Sequence, residues 1–300
     1  MDAGEEHRFE PPAHLLRMAF ERTPLGLSFV SVDRRVLLTN PALSNILGYS
    51  ADELRNMSIG DVTHPEDRDL HIAAHQQLLD GSRDWYEIEK RYVHRDGHTV
   101  WAVLHVAAIP DDSGNVSMLV SQIHDISRRV EAHALDRWQA MHDPLTGIGN
   151  RNLLMRDLAA HLDRYNAGMI SAPAVMILDL DGFKSVNDRY GHAGGDHLLQ
   201  VASRYLSTNV SAHDSVGRLG GDEFMIILSG CGNGDEALSA AQRLRTGLCE
   251  VLESNPLHNG VSASVGVAVA PPTTIPELMR LADRALYQAK AAGKNCAVLA

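Results

Sequence analysis

The sequence predicts a two-domain chain, α+β in its first half and α/β in its second, with a helical connection between. Three observations carry this. The length of 300 residues suits about two domains. Residues 85–93, 99–109 and 116–123 are three strand-like runs joined by the polar turns His94-Arg95-Asp96-Gly97 and Asp111-Asp112-Ser113-Gly114, which reads as an antiparallel meander. From residue 151 onward, helix-period and strand-like segments alternate nearly to the end.

Composition narrows the function classes. Hydrophobic residues make up 44% and charged residues 22%, as in ordinary soluble globular chains. A net charge of -11 argues against a nucleic-acid polymer or an anionic membrane held by bulk attraction. Cys231, Cys249 and Cys296 form no close pair, which argues against a disulfide framework or a cysteine-based zinc site and fits a reducing cytoplasm. No apolar run reaches the roughly 18 residues that span a bilayer. The acidic N-terminus lacks a signal peptide's basic start and apolar middle. The expectation is a soluble cytoplasmic protein without membrane insertion.

In order, residues 1–13 end in Pro11-Pro12 and read as a disordered lead-in. Residues 14–22 place Leu15, Leu16, Met18 and Ala19 at helical spacing, and Pro24 stops the helix. Leu25–Val32 and Val36–Thr39 form a hairpin around Asp33-Arg34-Arg35. Asn40 caps a helix that has Pro41 at its first position, runs to Leu47 and ends at Gly48. Ser50 caps residues 51–55, and residues 66–79 form another helix closed by Asp80-Gly81. The meander completes a first domain over residues 14–125.

Residues 126–142 form the linker. Ile126, Val130, Ala134, Trp138 and Met141 recur every three or four residues and make one apolar helical stripe. That stripe either packs on its own domain or pairs with a second copy as a coiled coil. The second domain, 143–300, reads as a helix over 151–166, a buried strand ending at Asp179, a glycine-rich turn at 191–195 and a helix to 206. A hairpin of 216–219 with 224–228, a helix over 235–253, a strand over 261–268 and a last helix over 275–292 follow.

The hairpin carries the chemistry. Gly220-Gly221 between two apolar runs reads as a tight turn, because glycine adopts positive φ at no steric cost. Asp222 and Glu223 then sit at or just past the tip. On its own this is as readily a solvated acidic turn. Asp179, at the end of a buried run upstream, changes the balance: carboxylates from a strand end and a neighbouring hairpin can share one divalent cation.

The stretch Arg218 to Leu228 resembles the signature of the GGDEF family of diguanylate cyclases, and four further blocks match in order: Asp143 to Arg151; Asp179 to Lys184; Asn187-Asp188 with Gly191-His192 and Gly195-Asp196; and Ala285 to Lys290 with Gly293-Lys294-Asn295. The resemblance covers residues 143–295 and implies a domain like the palm of nucleotide polymerases. It implies that two GTP molecules are condensed into cyclic di-GMP with loss of two pyrophosphates, in a homodimer, because each subunit holds one GTP. Mg2+ or Mn2+ would be bound by Asp179, the Leu180 carbonyl and the Asp222–Glu223 pair. Asp222 and Glu223, with the bare backbone of Gly220 and Gly221, would form the catalytic bend. Asn187 and Asp196 would read guanine; taken alone they read as a turn residue and a helix N-cap. Backbone around Gly182, Phe183 and Lys184 would cradle phosphate, and Lys290 and Lys294, four apart on or just beyond the last helix, a spacing that can put them on one face, would hold the outer phosphates. Asp181 is expected to cap or brace the following turn.

One departure matters. Many family members carry Arg-x-x-Asp ahead of the glycine pair, where product binds and inhibits. Here the segment is Ser211-Ala212-His213-Asp214, and serine offers no bidentate charged fork. Weak or absent product inhibition is expected. The alternative function is a non-catalytic GTP- or cyclic di-GMP-binding module that regulates protein partners.

The first domain resembles a PAS domain in element order and in Asn40, Leu47-Gly48-Tyr49, His64-Pro65-Glu66-Asp67-Arg68, Arg95-Asp96-Gly97 and Asp125-Ile126-Ser127. The resemblance implies a sensor or dimerisation module whose ligand stays open. No cysteine precedes Cys231, which excludes flavin photochemistry that needs one. Haem would need an axial histidine such as His64, His71 or His75. It is the lesser reading, because the same His-Pro-Glu-Asp motif is common in PAS domains without haem.

Overall fold

A computed structural model describes residues 11–257, 260–272 and 274–300, apart from the side chain of His71. Residues 1–10 of the expected lead-in lie outside the described residues. The chain divides into two units, one ending at Ala134 and one beginning at Leu135.

In the first unit, helix α1 (Ala13–Arg22) precedes strands β1 (Gly26–Ser31) and β2 (Val36–Thr39). Helices α2 (Pro41–Leu47), α3 (Ala51–Arg55) and α4 (Ile59–Val62) follow, then a 3-10 turn over Pro65–Asp67 and α5 (Arg68–Leu79). Strands β3 (Trp85–Val93), β4 (Thr99–Pro110) and β5 (Val116–Asp125) complete a five-stranded sheet in the order β2-β1-β5-β4-β3. Every pairing is antiparallel, and the meander has the expected register, with Trp85 opposite Ala107 and Val93 opposite Thr99. Two features were not anticipated. The short α4 has too few residues for a periodic signal, and the helix expected over 66–79 opens as the 3-10 turn over Pro65–Asp67.

Asn40 ties this unit's start together. Its Oδ1 accepts from the Leu43 and Leu27 amides, and its Nδ2 donates to the carbonyls of Phe20 and Leu25. All of its hydrogen-bonding capacity is met, so an amide that is 1% exposed carries no desolvation debt. The core cavity bounded by Ser28, His75, Tyr86 and Ser121 measures about 10 Å³, room for one water molecule. His75 Nε2 lies 2.8 Å from the Val32 carbonyl, and His64 Nδ1 accepts from the Glu66 amide. Of the three candidate haem ligands, these two therefore have other partners.

Helix α6 (Ser127–Met141) realises the linker stripe. Ile126, just before it, is buried, whereas Leu135 and Trp138 are 53% and 40% exposed.

The second unit runs α7 (Arg151–Asn166), β6 (Ala174–Asp181), α8 (Phe183–Thr208), β7 (Ser215–Gly220), β8 (Glu223–Leu228), α9 (Gly234–Glu253), β9 (Ser262–Val269), α10 (Ile275–Ala291) and β10 (Ala297–Leu299). The sheet order is β10-β9-β6-β8-β7. The sheet is mixed: β6 lies antiparallel to both neighbours, and β10 is parallel to β9. All eight residues of β6 are buried, as its unbroken apolar run requires of a strand covered on both faces. Ala174, Met176, Leu178 and Leu180 pack with residues of α8 and α9. Val175 and Ile177 pack on the other face with Leu154 and Leu158 of α7 and Leu278, Ala282 and Leu286 of α10. Gly266 lets α10 lie directly on β9, since a Cβ there would fall 2.1 Å from the Ala282 carbonyl.

Helix α8 differs from expectation. It starts at Phe183 and is two helical segments joined at Gly191 (φ 73°, ψ 174°). The glycine-rich run therefore makes a kink inside a helical stretch, not a turn ahead of one. Strand β10 was not expected, since three residues give too short a pattern.

Lys90 points inward from β3 and is 1% exposed. Its ammonium donates to Thr63 Oγ1 (2.9 Å) and sits 4.3 Å above the Tyr92 ring. Burial pulls its pKa down from 10.5 to about 7, against the pull of Asp67 and with help from Arg34. Between those two values the unfolded chain holds more protons than the folded one, so stability rises with pH. Thermal unfolding of this unit is expected to gain about 2 kcal/mol between pH 7 and 9. Lys90→Met should flatten that dependence without loss of fold, because Thr63 Oγ1 keeps its bond to the Ile59 carbonyl. Melting curves of both proteins across that range check this; a slope retained in the variant contradicts it.

Candidate functional site

Strand β6 delivers Asp179 to the sheet edge on the face of Val175 and Ile177, the face α10 covers. In the β6–β8 register Asp179 stands directly opposite Glu223, and on its other side opposite Ser264. The Leu180 amide donates to the Asp222 carbonyl (3.3 Å), which fastens the tip of the bend to the strand end. Gly220 pairs with Glu223, so Gly221 and Asp222 make the two-residue tip. Gly220 (φ 148°) and Gly221 (φ 55°) both take backbone that L-residues avoid, while nothing crowds their α-carbons. Within the chain itself the need for glycine here is conformational, since no protein atom would meet a Cβ at either position.

A brace holds the bend. Arg218 donates through Nε (2.9 Å) and Nη2 (2.7 Å) to the Gly221 carbonyl, and through Nη1 (3.2 Å) to the Asp143 carboxylate. Asp143 is fixed by the Thr146 amide and hydroxyl at 2.9 and 2.7 Å. Gly149 bridges to Gly217, whose α-hydrogen side lies so near the Gly149 carbonyl that a Cβ would approach to 2.4 Å. The segment from Asp143 thus fixes geometry. Arg218 had no role assigned from sequence. The available signal was a lone cation two residues before the glycine pair.

Charge is unbalanced at this edge. Lys290, in the last turn of α10, places Nζ 2.7 Å from Asp179 Oδ2. Among the described residues, Asp222 and Glu223 have no such cation in contact. Partial withdrawal from water, and then the Asp179 charge, raise the pKa of both above ordinary carboxylate values, with Lys290 opposing. Among the described residues, the three carboxylates do not offer one oxygen each that all lie within 4.8 Å of one another. Three carboxylates with one paired ammonium form a hard-oxygen donor set with surplus negative charge, which fits Mg2+ or Mn2+. The Leu180 carbonyl, at the same strand end, is the expected main-chain donor.

Asp181 behaves otherwise than expected. It is 6% exposed and accepts from Ser262 Oγ (3.0 Å), Ser264 Oγ (2.9 Å) and the Asn295 amide (3.2 Å). It ties β9 and the segment after α10 to the strand end, and does not cap the turn that follows it.

Residues expected to meet the nucleotide sit at the start and kink of α8. Phe183 is half-buried and Lys184 exposed at the helix N-terminus, where the first amides lack intrahelical partners. Asn187 and Asp196 lie on opposite sides of the kink. A Cβ on Gly195 would fall 2.0 Å from Asn187 Oδ1, so that glycine admits the amide beside Asp196. Asp196 is exposed and lies within the helical stretch, not at an N-cap.

Lys290 and Lys294 are not two positions on one helix face. Helix α10 ends at Ala291, and Lys294 lies beyond it with φ 66°. The Ser211–Asp214 segment forms a turn in which Asp214 accepts from the Ser211 and Ser229 amides, at 3.0 and 2.9 Å. Both of its oxygens already have backbone partners.

A family profile for "Diguanylate cyclase, GGDEF domain" matches residues 140–296, and one for the PAS fold matches residues 36–122. Diguanylate cyclase DgcS of Shewanella oneidensis is 37% identical over 161 residues, 53% of this chain and 52% of that protein. The bifunctional diguanylate cyclase/cyclic di-GMP phosphodiesterase MucR of Pseudomonas aeruginosa is 38% identical over 164 residues, 52% of this chain and 23% of MucR. An uncharacterised signalling protein of Caulobacter vibrioides is 39% identical over 194 residues, 62% of this chain and 24% of that one. This chain therefore spans between about a quarter and about half of these relatives. The crystal structure of the coiled coil and GGDEF domain of DgcB from Caulobacter crescentus, in complex with c-di-GMP, superposes with a TM-score of 0.52 over 58% of this chain and 93% of that one. At 24% identity this likeness shows the fold alone.

The crowded carboxylates have a thermodynamic signature. Carboxyls with raised folded pKa values bind protons more tightly in the folded state, so the penalty grows as pH climbs through those values and is absent below the unfolded ones. Glu223→Gln is expected to raise the unit's melting temperature at pH 7.5 by ~2–4 °C. The gain should shrink toward pH 4 and on adding Mg2+. Calorimetry of wild type and variant checks it; a lower melting temperature at pH 7.5 contradicts it.

Proposed function

The chain belongs to the GGDEF family of diguanylate cyclases, and on that premise we propose that it condenses two GTP molecules into cyclic di-GMP, releasing two pyrophosphates. The observation that carries this is the pairing of Asp179 with Glu223 across the bend, with Asp222 at its tip. In each half-reaction the ribose 3′-hydroxyl of one GTP attacks the α-phosphorus of the other. A P–O bond forms, the bond to pyrophosphate breaks, and the hydroxyl proton must leave. Glu223 or Asp222 is suited to receive that proton, because their environment already raises proton affinity.

Mg2+ or Mn2+, held by Asp179, the Leu180 carbonyl and the Asp222–Glu223 pair, supplies charge neutralisation at the phosphates when bound. Gly220 and Gly221 keep side chains out of the way of the nucleotide. Asp196 accepts from guanine N1–H and the 2-amino group, a donor pair that adenine lacks, and Asn187 adds a donor and an acceptor. Amides at Phe183 and Lys184 cradle phosphate. Lys294 is exposed to take phosphate charge, and Lys290 exchanges Asp179 for it.

One such site per chain makes the working unit a homodimer. The exposed Leu135 and Trp138 of α6 support pairing of two linkers, through which the PAS unit would regulate the distance between half-sites. We assign residues 14–125 to the PAS domain, 126–142 to the linker and 143–300 to the cyclase domain. Among the described residues no helix is long and apolar enough to cross a membrane.

Purified chain with GTP and Mg2+ should form cyclic di-GMP, and Asp179→Asn should lower turnover at least ~100-fold. Because Ser211 replaces arginine and Asp214 is engaged by backbone, initial rates should not fall when low-micromolar cyclic di-GMP is added. GTP binding without product overturns the enzyme reading in favour of a regulatory nucleotide-binding module. Product inhibition abolished by Asp214→Ala overturns the reading of Ser211–Asp214.

A further inference from the structure

The β3–β4 turn holds His94, Asp96 and His98 in five consecutive residues, and the proposed cyclase chemistry uses none of them. His94 Nδ1 lies 2.9 Å and His98 Nδ1 2.5 Å from the same oxygen, Asp96 Oδ1. One ligand atom from each residue falls within 4.8 Å of the others, which holds for no other set of three such residues among those described. The imidazole rings stack with centroids 4.3 Å apart.

This arrangement is built, not incidental to a loose loop. The His94 amide donates to the His98 carbonyl and the Gly97 amide to the His94 carbonyl, both at 2.9 Å, and Gly97 takes φ 95°. Arg95 fastens the turn to the first helices: its amide donates to the Leu47 carbonyl (3.0 Å), and its guanidinium pairs with Glu53 (3.0 Å). The orientation of His94 is set from behind. A Cβ on Gly48 would stand 2.3 Å from His94 Nε2, so that side of the ring rests on the glycine and Nδ1 faces the cluster. Asp96 and His98 are exposed, which leaves the outer side open to water.

We propose that His94, Asp96 and His98 form a binding site for a divalent transition-metal ion of the zinc, nickel or copper class. Two imidazole nitrogens and one carboxylate oxygen, with open positions toward solvent, suit borderline cations over Mg2+ or Ca2+, which prefer all-oxygen shells. Zinc–ligand bonds of about 2.0–2.1 Å put tetrahedral donors ~3.3 Å apart, so the His98–Asp96 contact widens by less than ~1 Å. For both Nδ1 lone pairs to meet one ion, at least one imidazole turns out of the 4.3 Å stack about its side-chain torsions, and exposed His98 has the room to do so. Because the backbone is fixed beforehand, binding orders little chain. The site lies in the first unit and does not depend on the cyclase reading.

The test is calorimetric titration with ZnCl2 in the full chain carrying Asp179→Asn, so that zinc taken up at the acidic bend does not enter the count. This parent should bind one more equivalent than the same chain with His98→Ala or with Asp96→Asn. Zinc should also raise the melting temperature of the first unit in the parent and leave it unchanged in both variants. Asp96→Asn retains an oxygen that can accept from the His98 amide, so it reports loss of the ligand with the turn intact. No zinc uptake by the parent, or equal stoichiometry and affinity in all three proteins, overturns the proposal.

Discussion

The antiparallel register that sets Asp179 opposite Glu223 governs the rest of the second unit. A slip of one residue would turn Asp179 to the other face of the sheet, away from α10 and Lys290. The register is secured by both neighbours of β6, by the amide of Leu180 on the Asp222 carbonyl, and by the Arg218 brace from Gly221 to Asp143. Around that fixed edge, negative charge exceeds the one paired ammonium. The fold stabilises an arrangement that its own electrostatics oppose, and a divalent cation is the complement that relieves it. This is the usual relation between stability and a site arranged for chemistry.

Much of this was legible in the residues, for identifiable reasons. The run Ala174–Leu178 ends in acid, and only a strand covered on both faces explains that pattern. Asn40, Gly48 and Ser50 gave the helix boundaries of the first unit because capping is local chemistry, and the Ser50–Glu53 capping box formed as its sequence dictates. What escaped was non-local or too short. Arg218 gains its role only when the chain brings Asp143, 75 residues away, beside it. Asp181 looked like a turn residue because its partners, Ser262, Ser264 and Asn295, arrive from β9 and the segment after α10. Gly293 announced the end of α10 within a residue or two, but the four-residue spacing of Lys290 and Lys294 did not show that the chain turns to positive φ at Lys294. The kink at Gly191 was misplaced because glycine signals a break but not whether helix precedes it.

The first unit shows the same division. Its strands and turns follow alternation and Asp-Gly signals, while the partners of its most consequential polar residues come from other segments. Lys90 sits inside the sheet because Thr63 and the face of Tyr92 receive its ammonium. His94 reads as a turn residue, yet its seat on Gly48 couples that turn to the start of the domain. Lys90 lies on β3 and His94 in the turn that follows it, and β3 pairs along its length with β4.

The central claim is that the strand end and the glycine bend hold one divalent ion with the triphosphate. Anomalous diffraction from crystals grown with Mn2+ and a non-hydrolysable GTP analogue tests it most directly. The account predicts a manganese peak in contact with Asp179 and with Asp222 or Glu223, and Lys290 turned from Asp179 to phosphate. Nucleotide bound elsewhere with the Lys290–Asp179 pair intact, or manganese remote from the bend, would contradict it.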